Sequence, residues 1–319
     1  MPCIDMSLDK LYTYQGINPR PADFDEFWDK ALAEMRSIDP KPMLTPCSIK
    51  SNIADCFMLT FKSTKGATIS AKFVRPKTID SKIPAVLDFH GLSGTSHSFA
   101  RLIAYAAQGY AVASMECRGQ GGYSEDVGGG AGTTYTTPFV RGLDGDPNGL
   151  YYRDVFLDTA MLARVVMDMD FVDKTRVGVR GGSQGGALSI ACAALVPEIK
   201  LCAPTYPYLS DYKRVWEMDL DKGAYEGLRY YFRFFDPRHE REDEIFTKLG
   251  YIDIQFLAPR IKAKVLMATG LMDTTCPPST QFAMYNKITS EKEVMIYPDF
   301  AHEGLQGHED IEFNFLAEL

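Results

Sequence analysis

The stretch Arg180-Gly181-Gly182-Ser183-Gln184-Gly185-Gly186 holds the residues whose types and spacing carry the plainest chemistry in this sequence. Gly181, Ser183 and Gly185 follow G-x-S-x-G, the pattern of a serine presented on a sharp strand-to-helix turn. Such a serine performs acyl transfer: its hydroxyl attacks a carbonyl once a base takes its proton, and the base needs an acid to orient it. The turn demands small neighbours, because a Cβ beside the serine obstructs the backbone angles and the close passage of the chain. The helix that follows aims N–H groups and its positive dipole end at the reaction centre. Two other readings compete, a glycine-rich turn that merely joins a strand to a helix and a nucleotide-binding loop. The spacing departs from G-x-G-x-x-G and no G-K-[ST] follows, which disfavours the second.

For a serine on this turn the chain order of partners is Ser, acid, His. His239, His302 and His308 follow Ser183. His239 lies in an aromatic stretch beside an acidic run and reads as a surface residue. His308 opens the last helix and reads as a surface or capping residue. His302 follows a strand in the loop Pro298-Asp299-Phe300-Ala301-His302-Glu303-Gly304, where a base from the last strand is presented, and is preferred. Asp273 stands just beyond a strand, after Gly270-Leu271-Met272, and is the preferred acid. Asp299 is its rival but shares the loop of His302, whereas an acid from a neighbouring strand can hold the imidazole from behind. The oxyanion hole needs two donors. The N–H of Gln184 supplies one, and the loop His90-Gly91-Leu92-Ser93-Gly94 supplies the other, through Leu92. His90 itself reads as a buried histidine bonded to backbone.

These groups need a scaffold. Residues 21–36 show apolar positions at helical spacing (Phe24, Phe27, Trp28, Ala31, Met35), with acids in the first turn. A proline-rich stretch, 40–46, breaks that pattern. Residues 57–61 and 69–74 read as antiparallel strands about a Lys65-Gly66 turn. From residue 83 strands (83–89, 110–115, 175–179, 200–203, 263–269, 293–297) alternate with helices (98–108, 151–169, 184–195, 278–288, 308–319). Such alternation implies a mostly parallel sheet with helices on both faces. Together with the serine turn this is the α/β-hydrolase fold, one domain over 1–319 with an N-terminal helical extension, 1–45. Two segments interrupt the rhythm. The Gly-, Thr- and Asp-rich stretch 119–149 is too long for an idle loop. Residues 204–259, with helices expected at 209–218, 225–235 and 241–251, read as a helical insertion over the sheet's C-terminal edge, where ligand sites form.

Composition bounds the function class. A 45% hydrophobic and 24% charged chain of 319 residues is a globular protein. Its formal charge of −8, with no dense basic run, argues against nucleic acid and anionic membranes as partners. The seven cysteines are scattered without a CxxC pair, so neither a disulfide framework nor a zinc site fits, and Cys117 and Cys276 read as small packing residues. The N-terminus lacks the apolar run of a secretory signal, and a cytoplasmic location is expected.

The chain resembles carbohydrate esterase family seven, the acetyl xylan esterases and cephalosporin C deacetylases. The motifs that carry the resemblance are Arg118-Gly119-Gln120, Gly181-Gly182-Ser183-Gln184-Gly185 and His302-Glu303, in that order. The Phe24–Trp28 helix, Tyr152-Arg153-Asp154-Val155, Tyr206-Pro207-Tyr208-Leu209-Ser210, Gly270-Leu271-Met272-Asp273 and Pro277-Pro278-Ser279-Thr280 match as well, so the likeness spans nearly the whole chain. It implies deacetylation of short acetylated sugars and of cephalosporin C, with no metal or organic cofactor. It implies a ring-shaped homohexamer whose sites face a central cavity. It gives Ser183, Asp273 and His302 the triad roles, has Arg118 and Gln120 brace the nearby loop, and places Gly91, Tyr206, Pro207 and Tyr208 in the pocket or its support. The family usually carries Tyr where this sequence has Leu92, which keeps the backbone donor and removes a ring from the pocket. The stretch Gly128-Gly129-Gly130-Ala131-Gly132 is also richer in glycine than the resemblance leads one to expect.

The expected chemistry is therefore hydrolysis of a small acyl ester through an acyl-enzyme, with activity lost in acid as the histidine base is protonated. A peptidase or amidase of the same fold is the first alternative, although 319 residues leave no room for the extra N-terminal domain of oligopeptidases. A non-catalytic binding module on the same scaffold and acyl transfer to another alcohol are the others.

Overall fold

The computed structural model describes residues 4–128 and 137–319. The glycine-rich 129–132 therefore lies outside the described residues. Nine strands among the described residues form a single sheet: β1 (Met43–Pro46), β2 (Ala54–Lys62), β3 (Thr68–Pro76), β4 (Ile83–Phe89), β5 (Ala111–Met115), β6 (Val172–Gly182), β7 (Leu201–Thr205), β8 (Lys264–Gly270) and β9 (Lys292–Tyr297). Their spatial order is β1-β2-β3-β5-β4-β6-β7-β8-β9. The pairs β1·β2, β2·β3 and β3·β5 are antiparallel, and every pair from β5 to β9 is parallel.

Alternation along β4 shows how this sheet is covered on both faces. Ala85, Leu87 and Phe89 pack into the core with α2 (Phe24–Ser37), α4 (Tyr151–Met167) and α5 (Gln184–Leu195). Val86 packs on the other face, with α3 (Phe99–Ala106) and α11 (His308–Leu316). Side chains two apart share a face, so a strand covered on both sides must be apolar throughout, as this one is except at Asp88. Asp88 lies directly beside Arg180 of β6 in the parallel register, and the two form a buried ion pair at 2.9 Å.

Three segments depart from expectation. The proline-rich stretch 40–46 does end the α2 pattern, but its last four residues form edge strand β1, so the extension expected over 1–45 runs into the sheet. Pro46 is tolerated there because an edge strand needs no donor on its free side. In the insertion, the helix expected from Leu209 begins at Tyr212, as α6 (Tyr212–Glu217). Leu209 and Asp211 have φ of 65° and 51°, which stops a helix starting earlier. The Asp211 carboxylate accepts from Tyr14 Oη at 2.8 Å and from the N–H groups of Ile17 and Asn18, pinning the N-terminal segment to the insertion. Further helices follow as α7 (Glu226–Phe235), α8 (Glu242–Leu249) and the short α9 (Ile254–Leu257), which a four-residue span hides from periodicity; α10 (Pro278–Tyr285) links β8 to β9, and a short α1 (Leu8–Leu11) precedes α2. No helix among the described residues is long and apolar enough to cross a membrane.

Candidate active site

Strand β6 ends at Gly182 and α5 begins at Gln184, leaving Ser183 alone between them with φ 57° and ψ −118°. A residue with a side chain adopts such angles only when its surroundings impose them. Here Ser183 N donates to Thr205 O at 2.9 Å, and Ser183 O accepts from Tyr208 N at 3.1 Å. The flanking glycines are required by contact. A Cβ on Gly181 would lie 2.6 Å from Phe89 O, and one on Gly185 only 2.0 Å from the same atom. The elbow therefore presses against the end of β4, and only bare backbone fits.

His302 Nε2 lies 2.9 Å from Ser183 Oγ, and His302 Nδ1 lies 2.8 Å from Asp273 Oδ2. Asp273 is fully buried, and its Oδ1 accepts from the N–H groups of Thr275 and Cys276, each at 2.8 Å. Those two bonds hold the carboxylate so that Oδ2 faces the imidazole. The structure thus brings together the three residues preferred from sequence. Asp299 is not hydrogen-bonded to the imidazole; Asp273, on the loop after β8, holds it from the neighbouring strand. The ring of Tyr206 leans on His302, with centroids 4.6 Å apart. Gly91, Gly182 and Tyr206 line the same cavity as Ser183 and His302.

Helix α5 begins at Gln184, so the Gln184 N–H is a first-turn donor without an intrahelical acceptor. Leu92 sits at the corner of a turn closed by Gly94 N donating to Gly91 O at 3.0 Å. Gln120 ties these two segments together. Its Oε1 accepts from Ser93 N at 2.9 Å, and its Nε2 donates to Gln184 Oε1 at 3.0 Å and to the Tyr151 hydroxyl at 3.1 Å. Arg118 anchors the same loop from behind. It is buried, pairs with Asp158 of α4 through two bonds of 2.5 and 2.8 Å, and donates to Thr64 Oγ1 at 2.7 Å. Pro207 and Tyr208 back the elbow; Tyr208 is fully buried and its hydroxyl donates to Ala224 O in the insertion.

The other histidines sort by environment. His90 is buried, accepts from Cys117 N through Nε2 at 3.1 Å and bonds Gly91 O through Nδ1 at 2.7 Å, a neutral backbone-bonded imidazole. Desolvation lowers its pKa, which fits that state. His239 is exposed and faces Glu242. His308 corrects the sequence reading: it is 5% exposed, lines the cavity and packs edge-on against Tyr297. The first turn of α11 folds over the C-terminal strand ends, which no pattern in the helix itself announces. His97 was missed. Its Nδ1 bonds the buried Asp88 at 2.5 Å, and its ring lines the cavity. Spacing offered no signal, since the partner sits on another element.

Asp273, Cys276 and His302 bring potential metal-ligand atoms within 4.8 Å of one another. Two of these three are already engaged with each other in the hydrogen-bonded chain to Ser183. Cys276 and Cys117 are buried, and desolvation raises both thiols well above their ordinary range; the Cys117 sulfur accepts from Gln184 Nε2 at 3.3 Å.

The geometry can be set beside known proteins. A family model described as acetyl xylan esterase matches residues 1–319. Acetyl esterase Axe7A of Xylanibacter ruminicola is 30% identical over 295 residues, 88% of this chain and 63% of that protein, so the chain spans under two thirds of that relative's length. The crystal structure of acetyl xylan esterase 1 from Thermoanaerobacterium sp. JW/SL YS485 superposes with a TM-score of 0.97 at 53% identity, covering 99% of both chains. An acetyl xylan esterase from Paenibacillus sp. R4 gives 0.92 at 33% identity over 98% of this chain and 99% of that one. Acylaminoacyl peptidase from Pyrococcus horikoshii, at 18% identity and a TM-score of 0.55, covers 86% of this chain and 39% of its own, and shares the fold alone. Because the likeness runs from end to end and not through the serine elbow alone, this chain belongs to the acetyl xylan esterase family.

Proposed function

We propose that this protein is a serine esterase that removes acetyl groups from short acetylated sugars, such as xylo-oligosaccharides, and from cephalosporin C. The observation that carries the reading is the hydrogen-bonded chain from Ser183 Oγ through His302 to Asp273, at 2.9 and 2.8 Å, standing on a strained elbow. His302 takes the Ser183 proton as Oγ attacks the ester carbonyl. Asp273 holds the imidazole in the Nδ1–H tautomer and stabilises the imidazolium. The N–H groups of Gln184 and Leu92 receive the oxyanion, and Gln120 keeps their two segments in register. His302 then protonates the leaving alcohol, and water repeats the cycle on the acetyl-enzyme, with His302 again the base. The family likeness supports a homohexamer with sites facing an inner cavity, which suits small esters better than polymers.

The experiment is hydrolysis of p-nitrophenyl esters of increasing acyl length, wild type beside Ser183→Ala. A rate that peaks at acetate and disappears in the variant is expected. A peak at longer chains overturns the acetyl preference, and an active variant overturns the nucleophile.

A further inference from the structure

The cavity that opens at Ser183 measures about 350 Å³ and has two unlike walls. One is the reaction wall, with Ser183 and His302. The other is built from α3, the loop just before it and α11, and presents His97, Arg101, His308 and Glu309. An acetyl group is about three waters in size and so fills only about a quarter of this volume, a water's share of liquid being ~30 Å³. A methyl also gains nothing from a wall of imidazoles and ions, whose polar groups lose water without replacement when an apolar group covers them. The second wall suits the other half of an ester, the alcohol.

Its groups match hydroxyls in detail. Both ring nitrogens of the buried His308 have no hydrogen-bond partner among the described residues. Desolvation lowers its pKa, so the ring is a neutral imidazole with one donor and one acceptor. A buried polar pair left open in this way is destabilising until a ligand closes it. His97 is fixed by the bond from Nδ1 to Asp88, which itself accepts from Ser114 Oγ and pairs with Arg180, so the other edge of the ring is set towards the cavity. At the rim Arg101 and Glu309 form a 2.7 Å pair that is well exposed. Pairs of this kind hold weakly and can exchange one another for a ligand. Their charges cancel, so the wall favours neither an anion nor a cation.

We propose that His97, His308 and the Arg101–Glu309 pair form the recognition subsite for the alcohol half of the substrate, a neutral ring bearing several free hydroxyls. Each vicinal hydroxyl donates and accepts, as this alternating wall requires. The proposal rests on the esterase reading above and deepens it by assigning the leaving group's binding site.

The test compares kcat/KM on partially acetylated xylobiose, which keeps free hydroxyls, with kcat/KM on p-nitrophenyl acetate, whose alcohol offers none. His308→Phe keeps the packing on Tyr297 and removes both nitrogens; Arg101→Gln removes the rim charge. In each variant the ratio of sugar ester to p-nitrophenyl ester should fall about five- to tenfold, mostly through KM, the size expected for a lost hydrogen bond. A ratio unchanged in both variants overturns the subsite, whether the two activities stay level or decline together. Should His308→Phe fail to fold, judged by its thermal transition, Arg101→Gln at the exposed rim decides alone. Wild type that cleaves p-nitrophenyl acetate but not acetylated xylobiose overturns the sugar-ester reading itself, a different result from an unchanged ratio.

Discussion

Replacing Asp273 by Asn separates orientation of the base from mere filling of space. Asp273 Oδ1 accepts two N–H bonds, from Thr275 and Cys276, while Oδ2 faces His302 Nδ1. An Asn amide has one oxygen and one NH₂. Placing the NH₂ against the two backbone donors sets donors against donors in a buried site, so the oxygen goes there and the NH₂ turns to the imidazole. His302 Nδ1 must then accept, which moves the ring proton to Nε2. In that tautomer Nε2 can no longer take the proton of Ser183, although all three side chains remain in place. Loss of the productive tautomer in a triad lowers kcat by about 10⁴, equivalent to ~5.4 kcal/mol of barrier. Stability should change by less than about 1 kcal/mol, because both backbone donors keep their acceptor. The assay is kcat on p-nitrophenyl acetate for both proteins, beside their thermal transitions. An Asp273→Asn protein within tenfold of wild type would refute the assignment of the base and its acid. A large loss of stability with little loss of kcat per folded molecule would refute the argument about the two backbone bonds.

Gly185→Ala places a methyl 2.0 Å from Phe89 O; neither backbone can yield, and destabilisation by at least about 2 kcal/mol is expected in urea unfolding. Asp88 is fully buried: burial alone pushes its carboxyl up, but the His97 bond and the Arg180 charge outweigh that and hold it below the usual carboxylate range. A depressed folded-state pKa means stability that is present above the unfolded carboxylate range and lost as pH falls through the folded value. Asp88→Asn should therefore cost about 3 kcal/mol at neutral pH by leaving Arg180 to Glu312 alone, and less near pH ~3; an equal cost at both pH values would rule the ion pair out as its source. Light scattering after size exclusion should give six times the 35.6 kDa chain mass, and a monomer would remove the hexamer from the proposal.

Local pattern determined much of this protein. Gly181, Ser183 and Gly185 name the elbow because the need for bare backbone there is a local steric fact. The alternation of strands and helices from residue 83 announces the parallel sheet, since apolar strands covered on both faces differ from amphipathic helices at short range. Chain order and strand ends sufficed to prefer Asp273 over Asp299 and His302 over His308. Only the tertiary structure decided what depends on elements far apart in sequence. Edge strand β1 exists because β2 offers it a partner, and a four-residue strand carries too little pattern of its own. Gln120 bonds Gln184, 64 residues further along the chain, and so joins the Leu92 turn to that helix. The burial of His308 and the pairing of His97 with Asp88 follow from α11 and α3 closing over the strand ends. Periodicity reports which face of a helix is apolar, but which site that helix covers is set by packing between elements, and that information is not written in any one segment.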